Sequence, residues 1–173
     1  MGGLKLIGYL LVAVLLFSAL LMPLMEMLFV YRERLTLSDS LYNSCRVAAE
    51  AGYRYVDARK TNAVLNKELF RQAFEDAFAS SFDLYVSATT ATAAGYSFKF
   101  KPYNTDAYNE FKVELEFPAV YDTLSKKWTV KVIAQATSAY KFKHNYILKM
   151  INEGSGINYQ LKSTREYPLE VIN

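Results

Sequence analysis

From Leu6 to Met25 the chain runs for 20 consecutive residues without a charge, LIGYLLVAVLLFSALLMPLM. An α-helix rising about 1.5 Å per residue needs about that length to cross the hydrocarbon of a bilayer. A secretory signal peptide has a shorter apolar stretch and a small-x-small cleavage site. Here the run continues through Glu26 into Met27-Leu28-Phe29-Val30-Tyr31 before reaching Arg32, so a retained membrane helix is expected. Lys5 flanks one end and Arg32, Glu33 and Arg34 the other, an arrangement that sets no orientation by positive charge. Two residues are unusual inside such a segment. Pro23 removes a backbone donor and is expected to kink or locally melt the helix, and Glu26 places a carboxylate near the membrane boundary.

Helical spacing does not stop with the apolar run. Leu28, Tyr31, Leu35, Ser38, Tyr42, Cys45, Ala49, Gly52 and Val56 step by threes and fours, which lays one stripe along a helix reaching about Asp57. This divides the chain into a long N-terminal helix, residues 1–57 with its apolar segment at 4–31, and a globular head, residues 58–173. The later half of the stripe is small, so another helix or a sheet could approach closely. Its partner is either the protein's own head or identical helices alongside, on different faces and at different heights.

The Met- and Leu-rich run carries a proline about 22 residues in, then Glu26 and the aromatic-basic step Phe29-Val30-Tyr31-Arg32-Glu33-Arg34. The Ala-rich continuation Arg46-Val47-Ala48-Ala49-Glu50-Ala51-Gly52 follows. In these features the chain resembles the type IV pilin superfamily, and within it the TadE-like pseudopilins of tight-adherence systems. The likeness covers about residues 4–57; where the superfamily has Glu at the fifth mature position, this chain has Lys5. The resemblance implies a structural subunit, held in the membrane before assembly and then packed by its N-terminal helix into a helical, pilus-like extracellular filament. The heads would form the filament surface and serve attachment. Implied partners are copies of the chain, the membrane and pilus assembly machinery. A reading of another class is a single-pass membrane accessory of a pilus or secretion system whose head binds a partner or a glycan.

Candidate assembly residues are Lys5, Pro23, Glu26, Leu28, Tyr31 and Leu35. Lys5 and Glu26 lie 21 residues apart, about 31 Å of helix. A neighbour shifted by that distance would set its Lys5 against this Glu26, satisfying two charges that are costly alone in an apolar core and fixing the axial register.

The head reads as α+β. Asn66 is placed to cap a second helix, Lys67 to about Ser81, whose Leu69, Phe70, Ala73, Phe74, Ala77 and Phe78 form an apolar face that reads as core. Ser87 to Gly95, SATTATAAG, reads as a loop or an irregular exposed strand. From there the period becomes two. Tyr96, Phe98 and Phe100 alternate with polar residues, as do Phe111, Val113, Leu115 and Phe117, then Trp128, Val130 and Val132 beyond a turn at Asp122 to Lys127. Tyr140 and Phe142 extend the pattern, Tyr146 to Ile151 fits strand or short helix, and Glu153 to Gly156 reads as a loop. Ile157 to Leu161 and Tyr167 to Ile172 add edge strands, where Pro168 is tolerated. The expectation is one helix on an antiparallel sheet of four or five strands.

Several functions are disfavoured. A net charge of +3 from 20 basic and 17 acidic residues, with no basic cluster, disfavours a nucleic-acid partner. The single Cys45 sits among small residues and reads as packing. His144, the one histidine, has no Cys, Asp or Glu at ligand spacing, and no phosphate loop, His-Glu-x-x-His or nucleophile elbow occurs. No metal, cofactor or catalytic activity is expected. The 14 tyrosines and 11 phenylalanines exceed what this core needs; strands favour aromatics, and exposed tyrosines also suit subunit contacts or a sugar-binding surface.

Overall fold

The computed structural model describes residues 2–55, 63–105, 108–122, 127–141 and 159–169. Helix α1 runs from Gly2 to Gly52 and a short hairpin follows, β1 (Tyr53–Tyr55) paired antiparallel with β2 (Ala63–Leu65). Helix α2 (Lys67–Phe82) comes next, then strands β3 (Leu84–Ala91), β4 (Gly95–Pro102), β5 (Phe111–Glu116), β6 (Ala119–Asp122), β7 (Lys127–Ala139) and β8 (Gln160–Pro168). The class is α+β, as the pattern predicts. Phe142, His144, Tyr146 to Ile151, the loop at 153–156, and Val56 and Asp57 lie outside the described residues.

The helix stops five residues before the expected Asp57. The Ala-rich stretch ends at Gly52, and Tyr53-Arg54-Tyr55 carries aromatic residues that favour strands. Gly52 also lies close against α2. Its carbonyl accepts the Asn66 amide at 2.8 Å, and a Cβ there would stand 3.1–3.2 Å from Leu65, Asn66 and Phe70. Helix α2 then begins as expected, with the Asn66 side chain accepting from the amides of Glu68 and Leu69 at 3.0 and 3.1 Å. It ends at Asp83, in the left-handed region at φ 53°, whose amide donates to Ala79.

The strands form one antiparallel meander in the order β3-β4-β5-β7, with β8 on the other edge of β7. β5 and β6 share that first edge in one register, since Glu116 pairs with Ile133 and Ala119 with Val130. They are a single arm interrupted at Phe117-Pro118, where proline cannot donate to the ladder. The sheet is thus five strands wide. Asp122 pairs with Lys127, which closes the expected hairpin. Ser87 to Ala91, read as a loop or exposed strand, belongs to β3. That strand is mostly polar and exposed beyond Val86 and carries an irregularity between Val86 and Ala88. Of the two expected C-terminal edge pieces, Gln160 and Leu161 begin and Tyr167 and Pro168 end one strand, β8, with Pro168 opposite Lys131, while 157–158 and 170–172 lie outside the described residues.

Both helices pack on one face of the sheet. Alternation puts Phe98 and Phe100, then Phe111, Val113 and Leu115, then Val132, Ala134 and Ala136 inward. α2 adds Phe70, Phe74, Phe78 and Phe82, with Phe74 5.8 Å from Phe98 and Phe78 5.0 Å from Phe100, centroid to centroid. Under α1 the inward residues of β7 shrink to alanine, which lets the long helix sit close.

Candidate membrane and assembly surface

α1 remains helical through Pro23, against the expected local melting. One backbone bond is lost there, to the carbonyl of Ala19, while Leu20, Leu21, Met22, Leu24 and Met25 on either side are good helix formers. Among the described residues, Leu6 to Met25 are exposed along the segment apart from a half-buried Pro23. The helix is long and apolar enough to cross a membrane. Lys5 is exposed at its far end.

Among the described residues, the head grips one face of the helix. Glu26, Leu37, Leu41, Ser44 and Ala48 are buried, with Val30 and Glu33 half-buried between them, a three-and-four series that turns toward β7, β8 and α2. This series is not the stripe that apolar spacing picks out. Of that stripe, Ser38, Cys45, Ala49 and Gly52 are buried in the upper half, where α2 widens the covered face. Leu28, Tyr31, Leu35 and Tyr42 are exposed, at 58, 62, 44 and 44%. The apolar surface of α1 therefore continues past the membrane-length segment, and there it adjoins β8, with Tyr31 and Leu35 lining a groove together with Ser163, Thr164 and Arg165. β8 is fastened along the flank: Arg165 Nε donates to Ser38 Oγ at 2.5 Å, its NH2 group lies 4.0 Å from Asp39, and the rings of Tyr42 and Tyr167 are 5.4 Å apart.

Glu26 occupies a place that sequence reasoning missed. Its carboxylate is 1% exposed, and the Tyr140 phenol at the end of β7 donates to it at 2.9 Å. The expected partner is a neighbour's Lys5; within its own chain this carboxylate is turned inward and held by the head. A charge near lipid is expensive unless hydrogen-bonded, and the fold satisfies it internally across 114 residues of sequence. Burial, followed by the hydrogen bond to Glu26, holds the Tyr140 phenol well above the usual tyrosine range. Only the inward set of a residue that looks like a membrane-boundary charge could have hinted at this, and spacing gives no such signal.

Cys45 is fully buried and its thiol is pushed up to about 12 by desolvation, which leaves it a packing residue without nucleophilic character. Among the described residues no three His, Cys, Asp or Glu side chains gather to hold a metal. No family model matches the chain, and no curated protein or solved structure matches it.

Proposed function

We propose that this chain is a structural subunit of a pilus-like filament, anchored in a membrane through α1 before assembly and joined to its copies through the same helix afterwards. The observation that carries this reading is that the exposed apolar row of Leu28 and Tyr31 continues past the charged step through Leu35 to Tyr42. An anchor alone has no use for apolar side chains beyond Arg32 and Arg34, which mark water. Adjacent α1 helices in a bundle would cover them. The apolar segment below them would exchange lipid for neighbouring helices by the same packing, for which side-chain contact rather than water exclusion supplies the attraction. Pro23 and the exposed Lys5 lie within that helical contact, and Glu26 serves it indirectly by fixing the head to the helix at its base.

The reading is tested by shearing cells that produce the chain and sedimenting the supernatant without detergent. The wild type is expected in the filament fraction. Leu35→Glu should remain in the membrane fraction, because Leu35 lies beyond Arg34 and a charge there leaves insertion untouched while burying a carboxylate between subunits. A wild type that stays entirely in membranes as single copies contradicts the proposal and favours the single-pass accessory protein.

A further inference from the structure

We infer that the membrane-facing end of the head is itself a lipid-interface surface, a tyrosine rim that seats in the phospholipid headgroup layer; this rests on the reading of α1 as a membrane helix.

The topology brings the rim together. α2 starts beside Gly52 and returns antiparallel to α1, so its end at Phe82 and Asp83 faces back toward the apolar segment. The same end of the sheet is defined by the register pairs Leu84 with Pro102, Phe100 with Phe111, Phe111 with Ser138 and Ala139 with Gln160. Backbone and side-chain bonds tie its loops: Tyr103 N–H to Asp83 O at 3.1 Å, Asn109 Nδ2 to Ala139 O at 2.8 Å, and Tyr140 N–H to Tyr159 O at 2.7 Å. The Tyr140 phenol on Glu26 then fixes the height of this end, one residue beyond the uncharged run.

Five tyrosines lie there, at 85, 103, 108, 140 and 159, whereas the other described tyrosines beyond α1 are spread over four strands, Tyr53 and Tyr55 in β1, Tyr96 in β4, Tyr121 in β6 and Tyr167 in β8. Tyr103, Tyr159 and Tyr85 are exposed at 67, 46 and 40%, and Tyr85 stacks obliquely on Tyr103 at 5.1 Å. Tyrosines that cluster at a head's membrane end, each an apolar ring with a polar tip, have the character of an interfacial belt. Exposed Lys101 and the Lys141 ammonium, which donates to Thr105 O, sit among them beside the acids Asp83 and Glu110. Among the described residues that mixture is near neutral, which suits zwitterionic headgroups, so the occupant is a phospholipid headgroup layer rather than an anionic ligand.

Inward burial of Glu26 makes the seating possible. With that charge withdrawn, the lipid-facing surface of α1 stays apolar through Met27, Leu28 and Tyr31 and first becomes charged at Arg32. From Leu6 to Tyr31 is 26 residues, about 39 Å of helix against about 30 Å of hydrocarbon. The surplus brings Tyr31 and the head's rim to the interface through tilt or partial embedding.

The test uses the full chain in phosphatidylcholine vesicles, with an environment-sensitive fluorophore on a single introduced cysteine; buried Cys45 stays unlabelled. Labels go at Thr105→Cys on the rim, at Leu15→Cys in the span and at Thr92→Cys at the opposite end of β4, whose eight residues place it about 25 Å away. Headgroup-attached spin label is expected to quench the Thr105 label and to spare Thr92, while acyl-chain spin label quenches Leu15. Adding Tyr103→Ser and Tyr159→Ser should cause loss of the Thr105 quenching. A Thr105 label as unquenched as Thr92, with Leu15 still quenched, overturns the rim while leaving the anchor intact, and self-quenching between Thr105 labels instead would assign the rim to a second copy. An unquenched Leu15 overturns the membrane reading and the rim with it.

Discussion

Replacing Tyr140 by Phe removes one hydroxyl from the contact that joins the end of β7 to α1 and leaves the enclosed Glu26 carboxylate short of a donor. A hydrogen bond to a charged group contributes about 1.5–3 kcal/mol, so a loss of about 2 kcal/mol is expected. For a chain of this size that lowers the melting temperature by about 4–8 °C. The assay is near-UV circular dichroism of the full chain in detergent micelles, followed through a thermal ramp for wild type, Tyr140→Phe, Glu26→Leu and the double variant. Removing both partners takes away donor and acceptor together, so the double variant should be more stable than the sum of the single losses implies, by about 0.5–3 kcal/mol of coupling. The phenol adds a pH signature. Its folded pKa is raised, so the folded state keeps the proton after the unfolded state releases it, and this contribution is complete below about pH 10 and declines above it. Tyr140→Phe should flatten that alkaline limb. A Tyr140→Phe variant within about 0.5 kcal/mol of wild type, the ordinary range for a surface change, or single losses that simply add, would refute the reasoning.

Three further substitutions probe the packing. Ser44 Oγ is buried without a hydrogen-bond partner, and Ser44→Ala should raise stability by about 1 kcal/mol by removing an orphaned hydroxyl and adding a better helix former; calorimetry checks it. Gly52→Val should cost about 1–3 kcal/mol of overpacking, because a Cβ already meets Leu65, Asn66 and Phe70 at 3.1–3.2 Å, read as a lower denaturant midpoint. Asp83→Gly relieves a left-handed residue at φ 53° and should stabilise by about 1 kcal/mol, measured by the same melt.

Much of this fold is legible in the sequence wherever one physical signal acts alone. Asn66 and the phenylalanines at 70, 74 and 78 announce α2, and period-two alternation announces β4, β5 and β7, because each pattern follows directly from which side faces the core. β3 is ambiguous for the converse reason: beyond Val86 it is an exposed edge strand of small, mostly polar residues. The head-facing side of α1 is concealed by chemistry. Its series contains Glu26, Glu33 and Ser44, which hydrophobic spacing assigns to water, whereas the apolar Leu28, Tyr31 and Leu35 that spacing assigns to a partner stay exposed outside that series. The contact between Glu26 and Tyr140 spans 114 residues and leaves no local trace. It gives Glu26 a partner within its own chain.

The central claim, that the exposed row of α1 is covered by copies of the chain, meets its most direct measurement in cryo-electron microscopy of material sheared from producing cells. The account predicts helical filaments with α1 at the core, the heads outside, and Leu28, Tyr31 and Leu35 enclosed by neighbouring α1 helices. Filaments whose subunits touch only through their heads, with that row open to solvent, would contradict it, as would a chain found solely as single copies in membrane.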